Sequence, residues 1–155
     1  MIDIETILTY LTLISVPIGV VYHILTLRNQ TRTRQFQIIK GANIFGDFVW
    51  KLYSYDVTDV EDFVSKFNEP DSQIRKDYLE YFSQLEELGV YLREGLLDIR
   101  YIMLLSGGGI IQIYEKYEPV HDHFREHMGS RWMVEAEYLY DKLKEYIKQH
   151  PELAT

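Results

Sequence analysis

The chain has 155 residues, the length of one domain, and residues 28–155 are enough to bury a core of their own. It has no cysteine, which excludes disulfides, zinc–thiolate sites, iron–sulfur clusters and thiol catalysis. The net charge of −8 is unevenly spread, because residues 52–155 carry 21 acidic and 11 basic side chains. Binding of nucleic acid needs a basic surface, so this anionic body argues against a nucleic-acid partner.

The N-terminal segment, residues 1–27, is apolar over most of its length. No charged residue occurs in the 22 positions from Thr6 to Leu27, and roughly 20 such positions suffice for a helix to cross a hydrocarbon layer. We therefore predict a transmembrane helix over about residues 6–27. Two other interpretations stay open: a cleaved signal peptide, although the start is acidic rather than basic, and a core helix of a soluble protein.

The orientation of this predicted anchor follows from the basic residues around it. Arg28, Arg32, Arg34 and Lys40 follow the apolar segment, and no lysine or arginine precedes it. The positive-inside rule then predicts a single-pass protein of the cell membrane, with its N-terminus outside and the remaining domain in the cytoplasm. The same four residues belong to a basic juxtamembrane collar, residues 28–51, for which we predict contact with anionic lipid head groups.

Residues 28–155 show helical periodicity almost throughout, and no stretch alternates as a strand would. The clearest apolar stripe consists of Ile74, Tyr78, Phe82, Leu85, Leu88 and Leu92. Residues 95–105 are apolar nearly all round, which predicts a helix in the middle of a bundle, and the glycines at 107–109 are predicted to end it. The predicted fold class is all-α: one N-terminal transmembrane helix followed by a cytoplasmic bundle of five to six helices.

A group of histidines offers the main candidates for metal chemistry. His123 and His127 are four residues apart, so both lie on one side of a helix, and Glu118 with His121 forms a single E-x-x-H motif. A metal site would need further ligands from other helices, and His121 also falls on an apolar stripe, as a hydrogen-bonded core histidine does. No second E-x-x-H, nucleophile motif or phosphate-binding loop occurs. We therefore assign no catalytic residue, cofactor or metal.

Residues 85–119 resemble the DUF4760 family, for which no activity is assigned. The resemblance rests on a leucine–glycine step, a charged segment, a glycine pair and a proline after a Glu-Lys pair. The matching positions are Gly89, Arg93, Glu94, Gly95, Asp98, Gly107, Gly108, Glu115, Lys116 and Pro119. Tyr114 departs from the tryptophan that is frequent in the family at that position. The resemblance implies a membrane-anchored helical architecture and no catalytic residue.

These observations favour a membrane-tethered helical module that acts by interaction rather than catalysis. Its expected partners are the membrane and another protein, and one version of this hypothesis is a small subunit of a larger membrane complex. Two alternatives stay open. One is a metal-dependent enzyme that uses the region of His121, His123 and His127, and the other is a sensor of anionic lipid surfaces.

Overall fold

The computed structural model describes residues 3–42 and 47–153, and these residues form helices and no strand. The helices are α1 (Ile4–Gly41), α2 (Asp47–Ser54), α3 (Val60–Phe67), α4 (Gln73–Arg93), α5 (Ile99–Ile102), a π-helix (Met103–Gly107), α6 (Gly108–Met128), α7 (Val134–Gln149) and a 3₁₀ turn (Pro151–Leu153). The all-α part of the predicted fold class is confirmed. The chain divides into two compact units, Met1–Gln37 and Ile38–Thr155.

The predicted transmembrane helix over residues 6–27 is wrong. Within the described ranges 3–42 and 47–153, no helix combines the length and the apolar character that crossing a membrane requires. Polar side chains dilute the predicted span, and the sequence places Thr6, Thr9, Thr12, Ser15 and His23 within it. The fold class of a transmembrane helix followed by a bundle is therefore corrected to an all-helical chain in two units.

An aromatic core between α3, α4 and α6 organises the second unit. Phe63, Tyr78, Phe82, Tyr117 and Phe124 are each at most 1% exposed. Contacting rings in this group have centroids 4.6–6.2 Å apart and lie tilted or edge-on. This is the geometry that the quadrupoles of aromatic rings favour. The apolar stripe predicted for α4 is confirmed, because its central members are all fully buried: Tyr78, Phe82, Leu85 and Leu88.

The first residues of α7 are fixed on α4 by Glu86, Gly89 and Arg93. Glu86 Oε1 accepts hydrogen bonds from the backbone amides of Glu135 (2.8 Å) and Ala136 (2.9 Å), and the first amides of a helix have no partner within the helix itself. Arg93 Nε donates to the Glu135 carboxylate at 2.8 Å. Gly89 lies so close to α7 that an added Cβ would come within 2.1 Å of the Glu135 carbonyl oxygen. These three residues join the two helices.

The glycines at 107–109 do not end a helix, which contradicts the sequence-based prediction. The π-helix continues directly from α5 and runs into α6, where Gly108 has a helical φ of −61°. The chain instead turns at Gly95, whose φ of +68° is left-handed and follows the end of α4. Pro119 lies inside α6 without interrupting it. The five π-helical residues therefore join two α-helices that the sequence alone appeared to separate.

Replacing Gly89 with alanine tests the contact between α4 and α7. The new methyl group would overlap the Glu135 carbonyl oxygen, which cannot move without displacing α7. We expect the free energy of unfolding to fall by about 3 kcal/mol, as in overpacked cores. Urea unfolding followed by circular dichroism measures this change.

Gly108→Ala is the matched control, because Gly108 is helical and a Cβ there meets nothing within 4 Å. The control should stabilise the fold by up to about 1 kcal/mol, since alanine is the better helix former. A Gly89→Ala variant as stable as the original chain would contradict the proposed close contact.

Candidate functional site

A groove of about 390 Å³ lies between α2 and the junction of the π-helix with α6. Its lining among the described side chains is aromatic and aliphatic, none of them charged, and consists of Val49, Trp50, Tyr53, Tyr81, Leu105, Ser106, Gly109, Ile110 and Ile113. Concave surfaces of this size and character, with few polar groups, are typical of binding sites. We refer to it as the apolar groove, and it is the candidate functional site.

The wall of the apolar groove formed by α2 is held in place by α6. Lys116 Nζ donates to the carbonyl oxygens of Leu52 (3.0 Å) and Tyr53 (2.5 Å), and the Tyr117 hydroxyl donates to the Leu52 carbonyl oxygen at 2.9 Å. These carbonyls belong to the last turn of α2, where a helix has no further amide to pair with them. Burial lowers the pKa of Lys116. Lys116 therefore acts as a cross-helix cap that positions Trp50 and Tyr53.

A second set of polar contacts holds the chain just after α2. Asp77 on α4 is 2% exposed and accepts hydrogen bonds from the Tyr55 hydroxyl (2.5 Å) and from Gln73 Nε2 (2.7 Å). Burial, followed by the hydrogen bond to Asp77, raises the pKa of Tyr55 to about 12. The ionic partner nearest to Asp77 is Lys51 Nζ, 4.0 Å from Oδ1. The last turn of α2 is thus bonded to α6, and Tyr55, which follows it, is bonded to α4.

The π-helix presents apolar side chains to the outside. Leu104 is 61% exposed and Leu105 is 43% exposed, although the sequence predicted a helix in the middle of a bundle here. The side chains of Ile102 and Met103, just before them, are buried. We call Leu104, Leu105 and the exposed Gly108 the π-helix surface. Leu105 also lines the apolar groove, so the two features are continuous.

His121 forms a buried hydrogen-bonded chain with Tyr78 and Trp132. The Trp132 indole can only donate, and its Nε1 lies 3.2 Å from the Tyr78 hydroxyl oxygen. The Tyr78 hydroxyl oxygen also lies 2.7 Å from His121 Nδ1, within hydrogen-bond distance. The other ring nitrogen of His121, Nε2, is buried and has no hydrogen-bond partner among the described residues. Burial, and then the charge of Arg125, lowers the pKa of His121 to about 3.

The four candidate metal ligands are not brought together. His121 lies in the core, whereas Glu118 and His127 are exposed and His123 is half-buried. The rings of His123 and His127 stack with centroids 4.2 Å apart, and His127 Nδ1 lies 2.7 Å from the His123 carbonyl oxygen. In the part of the chain that the structure describes, no three histidine, aspartate or glutamate side chains are arranged to hold a metal ion.

The predicted lipid-contact residues all lie on α1. Arg28, Arg32, Arg34 and Lys40 are exposed, and none of them forms an ion pair with another described residue. They are part of one continuous helix rather than of a separate collar. Their contact with anionic lipid remains a prediction.

The residues of the family motif have structural contacts. The contacts of Gly89 and Arg93 with α7 are described above. Asp98 Oδ1 accepts a hydrogen bond from the Arg100 amide at 2.9 Å at the beginning of α5. The Glu94 amide donates to the Val90 carbonyl oxygen at 2.9 Å at the end of α4. The motif thus contains the contact with α7 and the turn that leads from α4 into α5.

The later part of the motif makes contacts around α6. Glu115 Oε1 accepts from Lys144 Nζ (2.6 Å) and from the Tyr140 hydroxyl (3.1 Å), which ties α6 to α7. Gly107 is buried against the side chain of Met103, and Lys116 caps α2. The motif is therefore a set of packing and capping residues, apart from the exposed Gly108 and Pro119.

The residues of the apolar groove were not identified from the sequence. Trp50 and Tyr53 are spaced three apart, so both lie on one side of a helix, which was a usable signal for an apolar face. The exposure of Leu105 carried no such signal. It depends on the wider turn of the π-helix, which breaks the 3.6-residue period on which the prediction relied.

In the part of the chain that the structure describes, the fold is all-helical and an apolar cleft lies beside the π-helix. A family model described as a domain of unknown function, DUF4760, matches residues 13–143. The chain therefore belongs to the DUF4760 family, as the resemblance of residues 85–119 indicated. No curated protein and no solved structure matches the chain.

The buried His121 predicts a pH dependence of stability. Its pKa is about 3 in the folded chain and about 6.5 when unfolded. The contribution of the neutral imidazole to the free energy of unfolding is fully present above about pH 6.5 and is lost as the pH falls toward 3. Between these two pH values the unfolded chain binds a proton on His121 and the folded chain does not. Between pH 7.5 and 5.5 we expect this group to lower the free energy of unfolding by about 1 kcal/mol.

Urea unfolding of the chain and of a His121→Gln variant at both pH values measures that contribution. The variant should lose about 1 kcal/mol less between the two pH values than the original chain does. His127→Gln, which removes an exposed imidazole, is the control and should keep the original dependence. An unchanged pH dependence in His121→Gln would show that the buried histidine does not titrate in this way.

Proposed function

We propose that the chain is a helical interaction module, an accessory protein that contacts another protein through the π-helix surface. The observation that supports this proposal is the exposure of two adjacent leucines, Leu104 and Leu105, on the π-helix. Contiguous exposed apolar side chains mark interaction sites on protein surfaces more often than isolated ones do. Gly108, one turn further on, has no side chain, so a partner can approach the backbone closely.

The charge distribution supports a partner with a basic rim. Residues 52–155 carry 21 acidic and 11 basic side chains, whereas the π-helix surface itself is uncharged. An apolar contact region on a domain with a net negative charge favours a partner that presents apolar anchors together with lysine or arginine. Complementary charge of this kind speeds association and disfavours other partners more than it adds affinity.

Site-specific photocrosslinking in the native cell tests the interaction. The photoreactive residue p-benzoylphenylalanine replaces Leu104. In a control it replaces Glu126, an exposed residue of α6, the helix that continues from the π-helix. We expect one discrete crosslinked protein, identified by mass spectrometry, from position 104 and not from position 126.

A second substitution, Leu105→Asp, should abolish that crosslink because a charged carboxylate would be buried in the apolar contact. Leu105 is exposed, so the melting temperature should stay within a few degrees of that of the original chain. A crosslink that survives Leu105→Asp, or that forms equally from both positions, would argue against the π-helix surface as the contact region.

A further inference from the structure

We propose that the apolar groove binds a small, flat, uncharged aromatic molecule that carries one hydrogen-bond acceptor. This activity goes beyond the interaction function, because Leu104, the centre of the proposed protein contact, does not line the groove. Four features of the groove support this proposal: its size, the lack of charge on its described lining residues, a hydroxyl donor with no strong acceptor, and the fixed position of its walls.

The size of the groove fits a small molecule. Its volume of about 390 Å³ is near the lower end of the roughly 300–1,000 Å³ found for small-molecule sites. An α-helix with side chains has a diameter of about 10–12 Å, so a whole helix would lie over the groove rather than in it. A ligand built on two fused rings matches the space better than a long chain does.

The lining selects a neutral and flat ligand. Trp50, Tyr53 and Tyr81 supply aromatic rings from two helices, and Leu105 and Ile113 supply aliphatic walls. Rings of this kind stack on a planar molecule in offset or edge-on arrangements. A charged ligand would lose its hydration without gaining a counter-ion from the described lining, in which no side chain is charged.

Tyr53 provides the hydrogen-bond donor. Its hydroxyl oxygen lies 3.4 Å from the Gly109 carbonyl oxygen and 3.4 Å from Gln112 Oε1. One hydroxyl hydrogen cannot serve both acceptors, and both distances are at the outer limit of a hydrogen bond. Burial raises the pKa of Tyr53, so the hydroxyl stays protonated at neutral pH. A ligand carbonyl at about 2.8 Å would give this donor a stronger partner.

The walls of the groove are fixed before any ligand arrives. Lys116 and Tyr117 hold the last turn of α2 through the carbonyls of Leu52 and Tyr53. On the other side, Ile110 and Ile113 are each 1% exposed and anchored in the core. A preformed site loses little conformational freedom on binding, which favours affinity for a small ligand.

The probe for the experiment is prodan, 6-propionyl-2-(dimethylamino)naphthalene, a neutral two-ring ketone whose fluorescence shifts to the blue in apolar surroundings. Titration of the full chain should give a saturable blue shift and quench the fluorescence of Trp50 by energy transfer. The chain has two tryptophans, of which Trp50 lines the groove and Trp132 does not. Because energy transfer is strongest at the shortest distance, Trp50→Phe should remove the larger part of the quenching.

Two neighbouring glycines give a matched pair of variants. Gly109 lines the groove, and a Cβ added there would lie 3.7 Å from the Tyr53 hydroxyl, an ordinary contact. Gly109→Leu should fill the groove and weaken prodan binding at least about tenfold, the loss expected when a bulky group excludes a ligand. Gly108→Leu adds the same side chain to open space outside the groove and should leave the affinity within about twofold.

Tyr53→Phe tests the donor separately. Loss of one neutral hydrogen bond should weaken prodan about three- to tenfold while the blue shift persists. Circular dichroism of each variant confirms that the helices are retained, and Gly109→Ala replaces Gly109→Leu if the larger side chain prevents folding.

Equal binding by the Gly109→Leu and Gly108→Leu variants, or a blue shift without quenching of Trp50, would overturn the proposal, because prodan would then bind elsewhere. If prodan does not bind in the groove but a specific crosslink forms from position 104, only the ligand site is refuted and the interaction function is still supported. Saturable binding of prodan in the groove without any crosslink from position 104 would support the ligand site and count against the interaction function.

Discussion

The contact between α4 and the beginning of α7 is the constraint on which the second unit depends. Three residues on one face of α4 meet the same short stretch of α7: Glu86 pairs with its first amides, Gly89 touches the Glu135 carbonyl, and Arg93 pairs with the Glu135 side chain. α7 has no side-chain cap of its own, because the residue before it is Met133, which has no side-chain oxygen to accept hydrogen bonds from the first amides. α4 therefore supplies the missing cap and fixes the position from which α7 covers the core.

The position of the apolar groove also depends on hydrogen bonds in which one helix satisfies the end of another. The two-turn helix α2 is too short to be stable alone. It is stabilised by Lys116 on α6, which donates to its last carbonyls, and by Asp77 on α4, which accepts from the hydroxyl of the tyrosine that follows it. With α2 fixed, Trp50 and Tyr53 face Leu105 across the groove. The polar contacts behind the groove thus determine where its aromatic wall lies, although none of the described residues that line the groove is charged.

Much of the fold was predictable, and the errors have identifiable causes. The buried face of α4 followed from period alone, because Tyr78, Phe82 and Leu85 recur at helical spacing and each is fully buried. The transmembrane prediction failed because it weighed the lack of charge more heavily than the hydroxyl and imidazole side chains in the span. The glycine run was misread as a helix end, although glycines stop a helix only where the backbone turns left-handed, and Gly108 is helical.

Taken by itself, the sequence determined the all-α class, the buried stripes and the family, because these depend on local period and on short motifs. Only the tertiary structure decided which helix caps which, that His121 is a neutral core residue bonded to Tyr78, and that Leu105 and Trp50 share a groove. The physical reason is that capping, burial of a titratable group and the shape of a cleft arise between residues distant in sequence. A one-residue change in helical turn, as in the π-helix, redirects side chains in a way that no fixed period predicts.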